Sequence, residues 1–177
     1  LEKVHKAGAR FDPEKIKWFN HQYLQKKSDA ELAVAFQKEL IAKGIEVAFT
    51  KVEKIVSLIK ERATFLADFW ELSKFFFEAP KKYDEKAVKK QWKENTSTIV
   101  REVIEVLQNT SDFSSIALEE AVKNYMEANQ LGFGQVMPPL RLALVGELKG
   151  PHVFDIIELI GKEETLHRLE TILSVVK

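Results

Sequence analysis

The 177-residue chain carries 27 basic and 27 acidic side chains, so it is no bulk electrostatic sponge for nucleic acid; if it binds RNA, it must do so through local patches and specific contacts. It contains no cysteine, which excludes disulfides and zinc knuckles and fits a reducing, cytoplasmic setting. No apolar run approaches the roughly 20 residues that span a bilayer and no signal peptide is present; opening at Leu1, the chain reads as a piece of something longer with no membrane association.

Nearly every segment has helical period, and no convincing alternating strand is present. Asp12-Pro13-Glu14 predicts a helix start, with Ile16, Phe19 and Tyr23 on one face. Ser28 with Glu31 forms a capping box ahead of Leu32, Ala35, Phe36 and Leu40, and Gly44 is a natural stop. Thr50 with Glu53 repeats the device before Val52, Ile55, Val56 and Ile59, and the helical pattern continues through Arg62, Phe65 and Leu66 towards Trp70. Phe75-Phe76-Phe77 is too apolar for an open helix, so at least two of the three belong to the core, and Pro80 ends that lobe.

A basic stretch then runs from Lys81 to Lys93, with Asp84 capping a helix that contains Trp92. Ile99, Val100, Val103, Ile104 and Leu107 mark the next helix; a further one follows Ser114 or Ser115, with Ala117, Ala121, Val122 and Tyr125 on one side. Gly132 and Gly134 mark a loop. Met137-Pro138-Pro139-Leu140-Arg141 then reads as a proline helix start, and Gly150-Pro151-His152-Val153 as a second one. The fold class is all-α: two successive helical lobes, with a hinge near Tyr83-Asp84 and no internal repeat.

Catalytic constellations are nearly absent, and no catalytic residue or metal ligand is assigned. There is no nucleophile elbow, phosphate loop or His-Glu-x-x-His pair. Gly132-Phe133-Gly134 begins like a dinucleotide fingerprint but lacks the third glycine and a preceding strand. Glu164-Thr165-Leu166-His167 has the spacing of half a di-iron site, and the second half is missing. His5, His21, His152 and His167 are scattered; His152 carries the most weight because it adjoins the Gly-Pro start. Lys81, Lys82, Lys86, Lys89, Lys90 and Lys93 suit phosphate contacts or a solvated face balanced by Glu85 and Glu94. Trp18, Trp70 and Trp92 read as core before they read as base platforms. Arg62 and Arg141 stand among apolar neighbours, where a guanidinium fork suits a base edge, a phosphate or a salt bridge to a nearby glutamate.

From Ala9-Arg10-Phe11-Asp12-Pro13-Glu14-Lys15-Ile16 through Trp18-Phe19-Asn20 to Tyr23-Leu24, and again from Gln135-Val136-Met137 to Lys162, the sequence resembles the C-terminal anticodon-binding region of bacterial glutamyl-tRNA synthetases. The resemblance covers nearly the whole chain, with a looser middle. It implies a class I helical-cage architecture: residues 1–27 as the end of the stem-contact region and a connecting helix, 28–83 as a first helical subdomain and 84–177 as a second. The implied role is binding of the anticodon loop of glutamate tRNA, within a cytoplasmic, monomeric glutamate–tRNA ligase that charges its tRNA with ATP and Mg.

The catalytic signatures are not in this chain, so it is expected to be inactive alone and to hold no cofactor. By the resemblance, Arg62 reads the third anticodon base, with Lys60, two positions earlier, as the alternative, and Arg141 is a second anticodon contact. Gly150, Pro151 and Val153 fall on the loop that packs against the first two bases. Gly150 stands where some members carry a hydroxyl side chain, which leaves only backbone groups there. Within the lysine cluster, Lys89 is the position taken for an expected phosphate contact, with a solvated face as the alternative. The alternative reading is a helical protein-interaction module without an RNA role.

Overall fold

The computed structural model describes residues 12–176, and among these it contains ten α-helices and no strand. The expectations at His5 and at Ala9, Arg10 and Phe11 lie outside the described residues. Compact packing divides the chain into two units, between Glu71 and Leu72. No helix among the described residues is long and apolar enough to cross a membrane.

The first unit holds α1 (Pro13–Lys26), α2 (Asp29–Ala42), α3 (Phe49–Ile59), a 3-10 turn at Lys60–Arg62 and the start of α4 (Asp68–Ser73). Local chemistry sets two of its helix starts. The Asp12 carboxylate accepts the amides of Glu14 and Lys15 ahead of α1. At α2 the capping box is complete: the Ser28 hydroxyl accepts the Glu31 amide at 3.2 Å, and the Glu31 carboxylate accepts the Ser28 amide at 3.0 Å. Gly44 follows the helix with φ of +77°, a conformation that favours glycine.

The expected Thr50–Glu53 box does not form. Helix α3 starts at Phe49 without a side-chain cap, so Thr50 lies inside the first turn. Packing explains the outcome: Val52, Ile55, Val56 and Ile59 recur at helical spacing and are all fully buried. Burying one such side chain is worth about 1.5–3 kcal/mol, more than the roughly 1 kcal/mol of one cap. Nor does the helix run on through Arg62. After Ile59 it tightens into the 3-10 turn, Ala63 is extended and buried, and the Asp68 carboxylate takes the amides of Thr64 at 2.9 Å and Phe65 at 2.8 Å. Phe36 and Phe69 meet edge to face in the core with centroids 5.6 Å apart. The Ile16, Phe19 and Tyr23 face of α1 is exposed, and Leu24 is the buried residue of that helix.

The second unit contains α5 (Glu85–Gln91), α6 (Thr96–Asn109), α7 (Ser115–Ala128), α8 (Phe133–Val145), α9 (Val153–Ile160) and α10 (Lys162–Val175). Helix α6 packs against α7, α8 and α10 with Ile99, Val100, Val103, Ile104 and Leu107 buried. Phe75 and Phe76 are buried and Phe77 half-buried. Residues 72–83, which the sequence reading joins to the first lobe, interact within this unit: the Phe75 carbonyl accepts from Arg168, and Pro80 and Lys82 pack on Gly146. The expected caps form at Asp84 and Ser114. Trp92, expected inside its helix, is the residue that ends it.

Helix α8 corrects the expected proline start. It begins at Phe133, with the Gln135 side chain accepting the Gly132 amide at 2.8 Å, so Gly134, Pro138 and Pro139 all lie within the helix. Two prolines remove two i→i−4 hydrogen bonds. The helix persists because Val136, Met137, Pro139, Leu140, Leu142, Ala143 and Leu144 are buried on it. Helix α9 likewise starts at Val153, after Pro151 rather than on it, with His152 just outside.

The least expected core residue is Arg168 on α10, only 2% exposed. Its Nε donates to Glu164 Oε1 at 2.6 Å, and its terminal nitrogen donates to the carbonyls of Phe75 at 2.6 Å and Leu144 at 2.8 Å. Leu144 belongs to the last turn of α8, where carbonyls lack helical partners and the helix dipole favours a cation.

Two stability predictions follow from these contacts. Arg168→Met keeps the bulk but leaves two buried carbonyls unsatisfied, which should cost about 2–4 kcal/mol in a urea titration; a loss below about 1 kcal/mol would mean that the guanidinium is dispensable. Glu31 is held below its ordinary value of 4.5, first by the Ser28 amide and then by the Ser28 hydroxyl. A carboxyl depressed on folding stabilises above its unfolded pKa and loses that contribution as the pH falls through the folded value. Glu31→Ala should therefore be less stable than the parent at neutral pH, and the gap should narrow as the pH drops below 4.5.

Candidate nucleic-acid interface

In the first unit the 3-10 turn presents Lys60, Glu61 and Arg62 between two buried residues, Ile59 and Ala63. Helix α1 fixes this turn from one side: the Gln25 amide donates to the Lys60 carbonyl at 2.8 Å, and His21 Nδ1 donates to the Ala63 carbonyl at 2.8 Å. The two candidate readers differ sharply here. Lys60 is committed, because its ammonium donates to the Lys27 carbonyl and to Asp29 Oδ1 at 3.0 Å, bridging the junction of α1 and α2. Arg62 is exposed, with no hydrogen bond or ion pair to any described residue. Phe65, three residues on, leaves 41% of its surface in solvent on a loop whose amides Asp68 holds. The sequence pattern places Phe65 within a continuing helix, whereas it lies on this loop.

In the second unit Arg141 lies on α8 and reaches the loop ahead of α9, donating to the Pro151 carbonyl at 2.6 Å. Gly150 sits beside it with φ of +137°, and a Cβ there would lie 3.1 Å from the Arg141 terminal nitrogen. Arg141, Gly150 and Pro151 are therefore brought together as one feature. Pro151 and Val153 are buried, so a ligand at this loop meets Arg141, Gly150 and the exposed His152 first. His152 Nε2 is 3.9 Å from Glu119 Oε2, but Glu119 has a closer partner in the Lys123 ammonium at 2.7 Å. That hydrogen bond is the leading cause of the Glu119 carboxyl falling below its ordinary range.

The basic stretch is solvated: Lys81, Lys82, Lys86, Lys89, Lys90 and Lys93 are all exposed. In the Glu164–His167 segment Thr165 is buried and Glu164 is bound to Arg168. Among the described residues no group of three His, Cys, Asp or Glu side chains is placed to hold a metal ion. Trp70 and Trp92 are half-buried and Trp18 is 58% exposed, which corrects the core expectation for Trp18.

The structural roles of Arg168, Lys60 and Lys162 escaped the sequence reading. Lys162 donates to the carbonyls of Gln108 at 2.6 Å and Thr110 at 3.1 Å, a contact across more than 50 residues with no local signature.

Residues 17–173 match the family model described as an anticodon binding domain. The chain is 55% identical over 174 residues to a glutamate–tRNA ligase of Flavobacterium johnsoniae, covering 98% of this chain and 34% of that protein. It is 48% identical to a glutamate–tRNA ligase of Porphyromonas gingivalis, covering 99% of this chain and 35% of that protein. The crystal structure of a glutamate tRNA ligase from Elizabethkingia meningosepticum, in complex with its amino acid, superposes with a TM-score of 0.92 at 48% identity, over 99% of this chain and 35% of that one. The chain spans about a third of the length of these relatives.

The Gly150 geometry is directly testable. Gly150→Ala places a methyl group against Arg141 in a backbone region that non-glycine residues avoid, and should lower stability by about 1–2 kcal/mol in thermal or urea melts. Unchanged stability would show that the loop relaxes freely.

Proposed function

The chain belongs to the anticodon binding domain family, and on that premise we propose that it recognises the anticodon loop of glutamate tRNA as part of a cytoplasmic glutamate–tRNA ligase. The observation that carries the reading is the contrast at the 3-10 turn. Lys60 is spent on structure, while Arg62 offers a guanidinium bound to no described residue, from a turn whose backbone is pinned by His21 and Gln25. A splayed anticodon base presents its edge to such a fork and its face to an aromatic ring such as Phe65. The fork supplies direction and the ring supplies sequence-tolerant stacking of about 1–3 kcal/mol.

Arg62 is the residue assigned to the third anticodon base. In the second unit the Arg141–Gly150–Pro151 feature is the contact for the first two bases. Arg141 holds that loop through the Pro151 carbonyl. Glutamate activation, with the ATP and Mg that a ligase of this kind uses, we place in a catalytic part that this chain does not span, and no step of it is assigned to these residues. The whole ligase is proposed to act as a monomer.

One observation favours a second reading, a protein-interaction role: α1 exposes Trp18, Phe19 and Tyr23 at 58%, 55% and 63%.

Arg62→Ala should weaken binding of a glutamate anticodon stem-loop by about 1–3 kcal/mol and abolish its preference over a loop whose third anticodon base is changed from C to G. Lys60→Ala should instead lower stability first, because it frees the α1–α2 junction. Equal losses on both loops with Arg62→Ala would remove Arg62 as the discriminating residue.

A further inference from the structure

A cleft of about 470 Å³ lies in the second unit, formed by residues 80–83, α5 and the end of α10. Val88, Val175 and Val176 give it an apolar lining, and Tyr83 adds a half-buried aromatic ring. Exposed Lys81, Lys82 and Lys89 also line it, with Glu85 as the carboxylate among them.

The charge here is concentrated rather than balanced. Between positions 81 and 93 six lysines face two carboxylates, although the whole chain is neutral. One of those carboxylates, Asp84, is occupied in capping α5 through the amides of Lys86 and Ala87. Lys81 meets Glu78 only at 4.0 Å, with both side chains largely in water, so that pair offers little to hold the lysine back. Burial pushes the Tyr83 phenol above its ordinary range, opposed by the Arg168 cation, so the ring carries an O–H donor at neutral pH.

An apolar, aromatic-lined surface ringed by lysines is the pairing that single-stranded nucleic acid uses: backbone phosphates on the cations and a base or sugar on the platform. The volume also lies within the range of small-molecule and nucleotide pockets. We propose that this cleft binds a nucleotide of single-stranded RNA through its phosphates, independently of sequence, as a second contact for the tRNA whose anticodon the chain reads. The source of that nucleotide rests on the anticodon reading; the phosphate chemistry does not.

The test uses the 177-residue chain. Because it contains no cysteine, Val175→Cys gives a single attachment point for an environment-sensitive fluorophore at the mouth of the cleft, where Val175 is 62% exposed. The probes are the glutamate anticodon stem-loop, its third-base variant, an oligouridylate and polyglutamate. The proposal expects RNA, but not polyglutamate, to shift the label. It expects the exposed-lysine variant K81A/K82A/K89A, folded by circular dichroism, to lose roughly 10- to 100-fold in RNA affinity at low salt. The loss should be equal on both stem-loops, and the slope of log K against log salt should flatten by about 2.

Unchanged affinity and slope in the triple variant, a silent label, or an equal response to polyglutamate overturns the cleft. The anticodon reading then stands or falls on Arg62→Ala alone. Label shifts with oligouridylate but no discrimination between the two stem-loops support the cleft and remove Arg62 as a reader of the third base. No RNA binding even at low salt overturns both.

Discussion

A buried guanidinium organises the second unit. Arg168 enters the core without an uncompensated cost because every direction it faces supplies negative charge: the Glu164 carboxylate, the Phe75 carbonyl and the Leu144 carbonyl at the negative end of α8. The bond to Leu144 fixes where α8 stops, and Gly146 follows at once in the left-handed region with φ of +86°. A Cβ at Gly146 would meet the Lys82 carbonyl at 2.7 Å, so glycine is required there for space as well as for backbone angle. The Gly146 carbonyl in turn accepts the Asp84 amide at 2.8 Å, which sets the residue that caps α5. From one cation the chain of constraints leads to the place where the basic stretch starts its helix.

That ordering separates cations that hold the protein together from cations left to meet something else. Arg168, Lys60 and Lys162 spend their donors on backbone carbonyls, which suits a group with several N–H bonds and no acceptor capacity. Arg62 and Lys89 spend none on a described residue and remain in solvent. Arg141 is partly buried and holds the Pro151 carbonyl, so it too serves the fold. A neutral chain can thus keep selected positive charge for a polyanion without carrying a net positive field.

How much of this was legible in the sequence depends on how far apart the partners lie. Caps at Asp12, Ser28, Asp84 and Ser114 could be read because donor and acceptor are two or three residues apart. The apolar faces of α3 and α6 were equally plain from their spacing. The prolines of α8 misled because a local rule, that proline starts helices, was overridden by burial along the rest of the helix. The break after Ile59 misled for the opposite reason: apolar periodicity continues in the sequence, but His21, Gln25 and Asp68 capture backbone groups that a longer helix would have used internally. Arg168 was invisible, because its carbonyl partners lie 24 and 93 residues away and nothing near it announces them. At the candidate site, Arg62 was legible as an arginine out of place; that Lys60 beside it was already committed was not.

The commitment of Lys60 is also what makes Arg62 suited to discrimination. A reader distinguishes two bases only if the wrong one leaves donors badly placed, which requires a fork that does not drift to follow it. A free arginine on a mobile loop would trade specificity for adaptability and lose affinity on ordering. Here the backbone beneath the arginine is already ordered, although its exposed side chain is not. Lys60 ties the turn to Lys27 and Asp29, Gln25 and His21 hold its backbone from α1, and the buried Ile59 and Ala63 anchor it on both sides. The neighbour that resembles a rival reader thus serves as part of the support, and of the two cations of one turn only Lys60 is committed to the fold among the described residues.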